Sequence, residues 1–244
     1  MRRMPLLTLA ILLAAFTAPF TVSADCEPAR ITRALAIEEP WLENAVYLMA
    51  QGTQALSGAA DLAFSRNVGM EIDLPTWNPV SHALSPAIGA GLKIRLDGPC
   101  QPRISAAYVT AEVEGQYNAQ ARSAPPGFGD SVTGQLEWAV TRPYGFWQGE
   151  IGHSAPLGRG GARGSFVNAS LGQTFGPLTL QCEGEIDDML PPGPYGEIEG
   201  SVWPQLALHL GRAWLIALGE ERTFTRAPGT PKWSTWLLLE REFD

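Results

Sequence analysis

Cysteine is scarce in this chain, with three in 244 residues. Cys26, Cys100 and Cys182 are too few for a disulfide-built scaffold, and none of their spacings is the CxxC of a zinc site. Histidine is equally scarce, with three, and no group of His, Cys and acidic residues shows metal-ligand spacing, so neither metal nor cofactor is expected. Past the N-terminus no apolar run approaches the roughly 20 residues that a membrane helix requires. Basic residues are outnumbered, 17 against 25 acidic, which argues against nucleic acid as a partner.

One long apolar run does occur, from Leu6 to Val22, behind Arg2 and Arg3 and ahead of Val22-Ser23-Ala24. A basic start, an apolar stretch and small residues before a cut are the parts of a secretory signal, so residues 1–24 are expected to be removed and the mature chain to begin at Asp25. Losing Arg2 and Arg3 leaves 15 basic against 25 acidic residues, a charge of about −10. Asp25 separates Ala24 from Cys26, so Cys26 does not hold the position of a lipid-modified cysteine.

From Leu62 onward the chain repeats about ten residues of alternating polarity and then a connection. In Ile88-Gly89-Ala90-Gly91-Leu92-Lys93-Ile94-Arg95-Leu96 the even positions are apolar, while Lys93 and Arg95 fall on the other face. Leu178, Leu180, Cys182 and Ile186 alternate in the same way with Thr179, Gln181, Glu183, Glu185 and Asp187. A period of two belongs to strands with unlike faces; an amphipathic helix would repeat every 3.6 residues. The pattern predicts strands near 41–52, 58–65, 67–75, 85–96, 103–114, 131–142, 144–153, 164–174, 177–187, 195–210, 213–223 and 231–243.

The fold expected is therefore all-β, a single transmembrane antiparallel barrel of about 12 strands over residues 41–244, with 10 or 14 as alternatives. Residues 25–40 would form a periplasmic N-terminal segment. Connections alternate between short ones, as at Arg66-Asn67 and Phe175-Gly176, and longer Gly-, Pro- and Ser-rich ones, as at 115–130 and 188–194. Short periplasmic turns and longer outside loops alternate in this way in Gram-negative outer-membrane barrels. That topology puts Cys26 and Cys100 both on the periplasmic side, where they either pair or stay free, and Cys182 on the lipid face. Aromatic residues near strand ends, including Trp138, Phe146, Trp147, Phe175, Trp203, Trp214, Trp233 and Trp236, are expected to form interfacial girdles.

The stretch Leu62-Ala63-Phe64-Ser65-Arg66-Asn67-Val68-Gly69-Met70-Glu71-Ile72-Asp73-Leu74-Pro75, with the strand Gly89 to Leu96, resembles the early hairpin and following strand of a family of outer-membrane barrels associated with the meta-pathway of phenol degradation. The resemblance covers about a third of the chain. It implies a transporter of small, often hydrophobic compounds and carries over no site residues.

Strand parity sends Glu71, Asp73, Lys93, Arg95, Glu112, Glu114, Glu137, Glu150, Glu183, Glu185, Asp187, Glu197 and Glu199 toward a lumen. Glu183, Glu185, Asp187, Glu197 and Glu199 on successive strands would make an acidic wall, and an open lumen of that sign favours cations. The reading is a channel for a small solute, cation-biased or hydrophobic, set in outer-membrane lipid and lipopolysaccharide and inserted by the barrel-assembly machinery. The alternative is a plugged or structural barrel, its acids neutralised by Lys93, Arg95 and other bases. An enzyme is the rival class, and His153 with Ser154 at an outer strand end is the candidate pair for a lipid hydrolase or acyltransferase. Neighbours on a strand face opposite ways, so that pair would need a bend.

Overall fold

The alternating segments leave each strand one face for apolar surroundings and one for polar groups, and a closed sheet satisfies both while leaving no unpaired edge. The computed structural model describes residues 42–53, 55–85, 87–96, 107–118, 129–142, 145–158, 161, 163–187, 199–211, 213–224 and 233–243. The strands are β1 (Ala45–Gln51), β2 (Ala55–Ala63), β3 (Val68–Asp73), β4 (Trp77–Asn78), β5 (Ala83–Leu84), β6 (Ala87–Arg95) and β7 (Ala107–Asn118). They continue with β8 (Ser131–Arg142), β9 (Gly145–Pro156), β10 (Gly164–Phe175), β11 (Leu178–Asp187), β12 (Glu199–Leu210), β13 (Trp214–Phe224) and β14 (Ser234–Glu242). No helix occurs among the described residues.

The strands all pair antiparallel, each barrel strand with the next, and β14 returns to β1 with Ala45 opposite Glu242 and Gln51 opposite Trp236. Twelve strands thus close the ring, as the sequence pattern predicts. The two-residue β4 and β5 are additional: they form a small hairpin in the expected outside loop 76–84 and touch the barrel where Trp77 pairs Leu56. The largest displacement of a whole strand is that of β7, expected at 103–114 and found four residues later. Its alternation runs on through Val113, Gly115 and Tyr117, the last two of which fall in the connection expected at 115–130.

Two of the short turns rest on glycine with positive φ, Gly176 after β10 (62°) and Gly211 after β12 (73°), a conformation that costs other residues steric strain. Inside the barrel, Gly172 of β10 leaves room for the ring of Phe146 on β9, which lies over it.

Burial is inverted relative to a soluble protein. On β10, Phe166, Asn168 and Ser170 face the interior and are buried, whereas Val167 and Leu171 face outward, Leu171 with 70% of its surface exposed. Leu92, Ile94, Ile151, Leu180, Leu206, Leu218 and Leu237 are exposed likewise. Such an exterior is a lipid-facing surface. Cys182 lies on it, exposed, as parity predicts. The expected signal (1–24), the N-terminal segment (25–40) and the Cys26 and Cys100 pair all lie outside the described residues.

Candidate functional site

The interior wall divides into three sectors by strand. The first is built on Lys93 of β6. Its Nζ lies 2.8 Å from Glu71 Oε2, 3.5 Å from Glu112 Oε2 and 3.8 Å from Asp61 Oδ1, joining β2, β3, β6 and β7. The Tyr47 hydroxyl of β1 donates to the other Glu71 oxygen. Every side chain in this knot is at least nine-tenths withdrawn from water. Charges so placed hold together only when mutually paired.

The inward glycines of β6 make the crowding possible. Asp73 and Glu114 both reach into the space that a side chain at residue 89 would fill, and Glu112 lies over Gly91. The Gly89-x-Gly91-x-Lys93 spacing therefore places one ammonium under several carboxylates. Arg95, also inward by parity, sets its guanidinium 5.3 Å from the Tyr108 ring centre.

The second sector continues across β8 to β11. Gln135 Nε2 donates to Glu112 Oε2 at 3.4 Å and to Glu137 Oε1 at 3.1 Å, linking the Lys93 knot to the next strand. Glu137 stands opposite Glu150, which accepts a bond from Asn168 Nδ2. Ser170 stands opposite Glu183, which is almost wholly buried. The third sector is apolar: Tyr47, Ala59, Ala207, Leu215, Ala217 and Leu238 form a buried cluster, with Met49 and Trp236 against it.

Of the residues that the sequence sends inward, Glu71, Lys93, Glu112, Glu137, Glu150 and Glu183 are buried, and Asp73, Arg95, Glu114, Glu185 and Asp187 are half-buried. Glu197 lies outside the described residues. Of Glu199 the backbone alone is described, opposite Asp187. The acidic wall expected on β11 and β12 is thus described through Glu183, Glu185 and Asp187. Asp61, Tyr47 and Gln135 belong to the same network; alternation sends Asp61 inward, but which groups these three meet across the wall depends on strand register. Three of the aromatics expected in the girdles, Phe146, Trp203 and Trp236, instead turn inward: parity outranks nearness to a strand end.

His153 and Ser154 point to opposite faces. The exposed His153 places Nδ1 3.0 Å from Ser165 Oγ on β10, and Ser154 is buried with its hydroxyl 2.7 Å from Thr133 Oγ1. With no bend in β9 to join them, they cannot act as nucleophile and base for each other. Where β14 meets β1, ring closure brings Glu43, Glu240 and Glu242 together, their oxygens within 4.8 Å of one another. Sequence spacing could not show that cluster, since Glu43 lies at the far end of the chain.

Closure, strand number and the inverted faces together invite comparison with solved barrels. Two structures of the KdgM porin match, with a TM-score of 0.56 for the one in complex with disordered oligogalacturonate and 0.53 for the other, in alignments covering 83% of this chain and 99% of the porin. In fold, the chain is similar to a porin. Identity is 9%, so the likeness is one of architecture alone. No family model matches the sequence, and no curated protein matches it.

Proposed function

We propose that this chain is an outer-membrane channel that passes a small solute and favours positive charge. The observation that carries this reading is the sign of the interior: Asp61, Glu71, Asp73, Glu112, Glu114, Glu137, Glu150 and Glu183 line a wall whose basic members include Lys93 and Arg95. Carboxylates in a low-dielectric enclosure set the sign of what enters. An acidic solute such as the oligogalacturonate of the KdgM complex would meet repulsion here. The apolar exterior, the porin-like fold and the N-terminal signal pattern support a Gram-negative outer membrane, with lipid and lipopolysaccharide around the barrel and the assembly machinery inserting it. The hairpin resemblance to barrels of the phenol meta-pathway fits the same class of transporter. The divergence of His153 and Ser154 supports a protein without catalysis.

A second reading, a plugged or structural barrel, draws on one observation. Glu71, Lys93, Glu112, Glu137 and Glu150 are at most 3% exposed, so side chains fill this part of the interior. Conductance of the refolded protein in a planar bilayer under a salt gradient separates the two. Stable steps whose reversal potential marks cation preference support the channel. Silence from protein whose heat-modifiable gel migration shows it folded supports the plugged barrel, and anion preference overturns the acidic-path reading.

A further inference from the structure

The wall opposite the Lys93 knot carries a feature that ion pairing does not use. Gln148 of β9, Ser170 of β10, Gln181 of β11 and Gln205 of β12 all face inward and are at least nine-tenths buried. Their register makes them contiguous: Gln148 stands opposite Ser170, Ser170 opposite Glu183, and Gln181, two residues before Glu183 on the same face, opposite Gln205. Both amide atoms of Gln148, of Gln181 and of Gln205, and the Ser170 hydroxyl, find no hydrogen-bond partner among the described residues. Buried amides without partners are destabilising, and leucine of similar shape would spare that cost. Four such groups on adjacent strands leave a stretch of wall whose donors and acceptors are unspent, and a polar guest that displaces their apolar neighbours would satisfy them.

The chemistry of the guest follows from the groups that meet it. A glutamine amide offers donors and an acceptor together, which matches a hydroxyl, itself both donor and acceptor. Glu183 within the arc accepts only, and suits a hydroxyl proton or an ammonium. Two buried rings bracket the arc, Phe146 two residues before Gln148 on the same face of β9, and Trp203 two residues before Gln205 on the same face of β12. Flat apolar rings beside convergent polar groups are the usual composition of a small-molecule site. We propose that Gln148, Ser170, Gln181 and Gln205 form a hydrogen-bonding subsite for a hydroxyl-rich ring solute, a saccharide unit, with an amino sugar favoured by the acids around it. This deepens the channel reading and rests on it for the route by which the sugar arrives.

Water hydroxyls share this chemistry, so the test must separate them from a sugar. The probe is the trimer of glucosamine, with cyclohexylammonium as a cation of similar ring size that lacks hydroxyls. Saturation-transfer NMR on the detergent-folded full-length barrel is expected to show saturable contact with the trimer's ring protons. The variant Gln148→Leu/Gln181→Leu/Gln205→Leu should weaken trimer binding by at least about tenfold, given the usual worth of lost hydrogen bonds, with contact to cyclohexylammonium unchanged. An arc satisfied by water alone gives no saturable sugar contact in the wild type, and that result overturns the proposal. So does a folded triple variant that binds the trimer as the wild type does. Should the triple variant not fold, Gln181→Leu and Gln205→Leu singly are each expected to weaken binding about threefold or more, and unchanged affinity in both overturns the proposal. Planar-bilayer current is recorded in parallel. Sugar contact without current keeps the subsite and removes the channel, and current without sugar contact does the reverse.

Discussion

Removing the ammonium of Lys93 tests whether its ion pairs hold the barrel wall together. At an effective dielectric of about 20, its attraction to Glu71 at 2.8 Å is about 6 kcal/mol gross, and to Glu112 and Asp61 about 4 to 5 kcal/mol each. Desolvation offsets much of this, because all four groups sit almost wholly out of water. What survives is the asymmetry of loss. Lys93→Met takes the ammonium from between carboxylates on β2, β3 and β7, and truncation of one partner in such a set costs about 3–5 kcal/mol. The double variant Lys93→Met/Glu71→Gln also removes one of the mutually repelling carboxylate charges and is expected to recover about half of that, with the Tyr47 hydroxyl still able to donate to the amide oxygen that replaces the carboxylate. The assay is urea unfolding of each variant in phospholipid vesicles, followed by loss of heat-modifiable gel migration. A loss below about 1 kcal/mol for Lys93→Met, or a double variant no more stable than the single one, would refute the reasoning.

Three further outcomes follow from the geometry. Leu171→Arg, on the exposed outer face well inside β10, should destabilise the barrel in vesicles by about 2–4 kcal/mol, and Phe175→Arg at the turn by about 0–1 kcal/mol, as the depth dependence of lipid-facing charge requires; equal small effects would mean that the face does not meet lipid. Gly172→Val forces the Phe146 ring from its place and should cost about 1–3 kcal/mol in the same unfolding assay, with Phe146→Ala in the same chain relieving the clash; equal stability of Gly172→Val and wild type would show that the ring moves freely. Glu150→Gln and Glu183→Gln should each shift the reversal potential toward zero in the salt-gradient experiment, and no shift in either variant would place the solute path elsewhere.

Much of the architecture is legible in the sequence because lipid outside and polar groups inside impose a period of two on each strand. Leu178 to Asp187 alternates without interruption, and β11 is found where that pattern places it. The run Trp236-Leu237-Leu238-Leu239 is apolar at every position, so its facing could not be read, and Leu238 proves to be a wholly buried member of the interior cluster. Phe146 and Trp203 misled for the related reason that an aromatic ring suits either a girdle or a wall of this kind. The pairings within the Lys93 knot were beyond reach. Alternation says that Asp61, Glu71, Lys93 and Glu112 face inward, but which of them meet depends on strand register, as in Lys93 opposite Glu112 and Glu71 opposite Asp61. The unpartnered glutamine arc was hidden likewise: Gln148, Gln181 and Gln205 are spaced irregularly along the chain and become neighbours only across β9 to β12.

The seam between β1 and β14 differs from every other junction between consecutive barrel strands, because no turn ties its two strands and they come from opposite ends of the chain. It pairs seven residues, where β8 and β9 pair twelve. Its neighbourhood also holds the apolar cluster of the interior, with Tyr47 from β1, Leu238 from β14 and Leu215 from β13. Grease thus reinforces a short ladder that has no covalent hinge. During biogenesis this junction can form only after the last strand has been made, since an intermediate lacking β14 would carry two open edges and an uncovered oily patch. The fold therefore assigns its final, ring-sealing event to a contact spanning nearly the whole polypeptide.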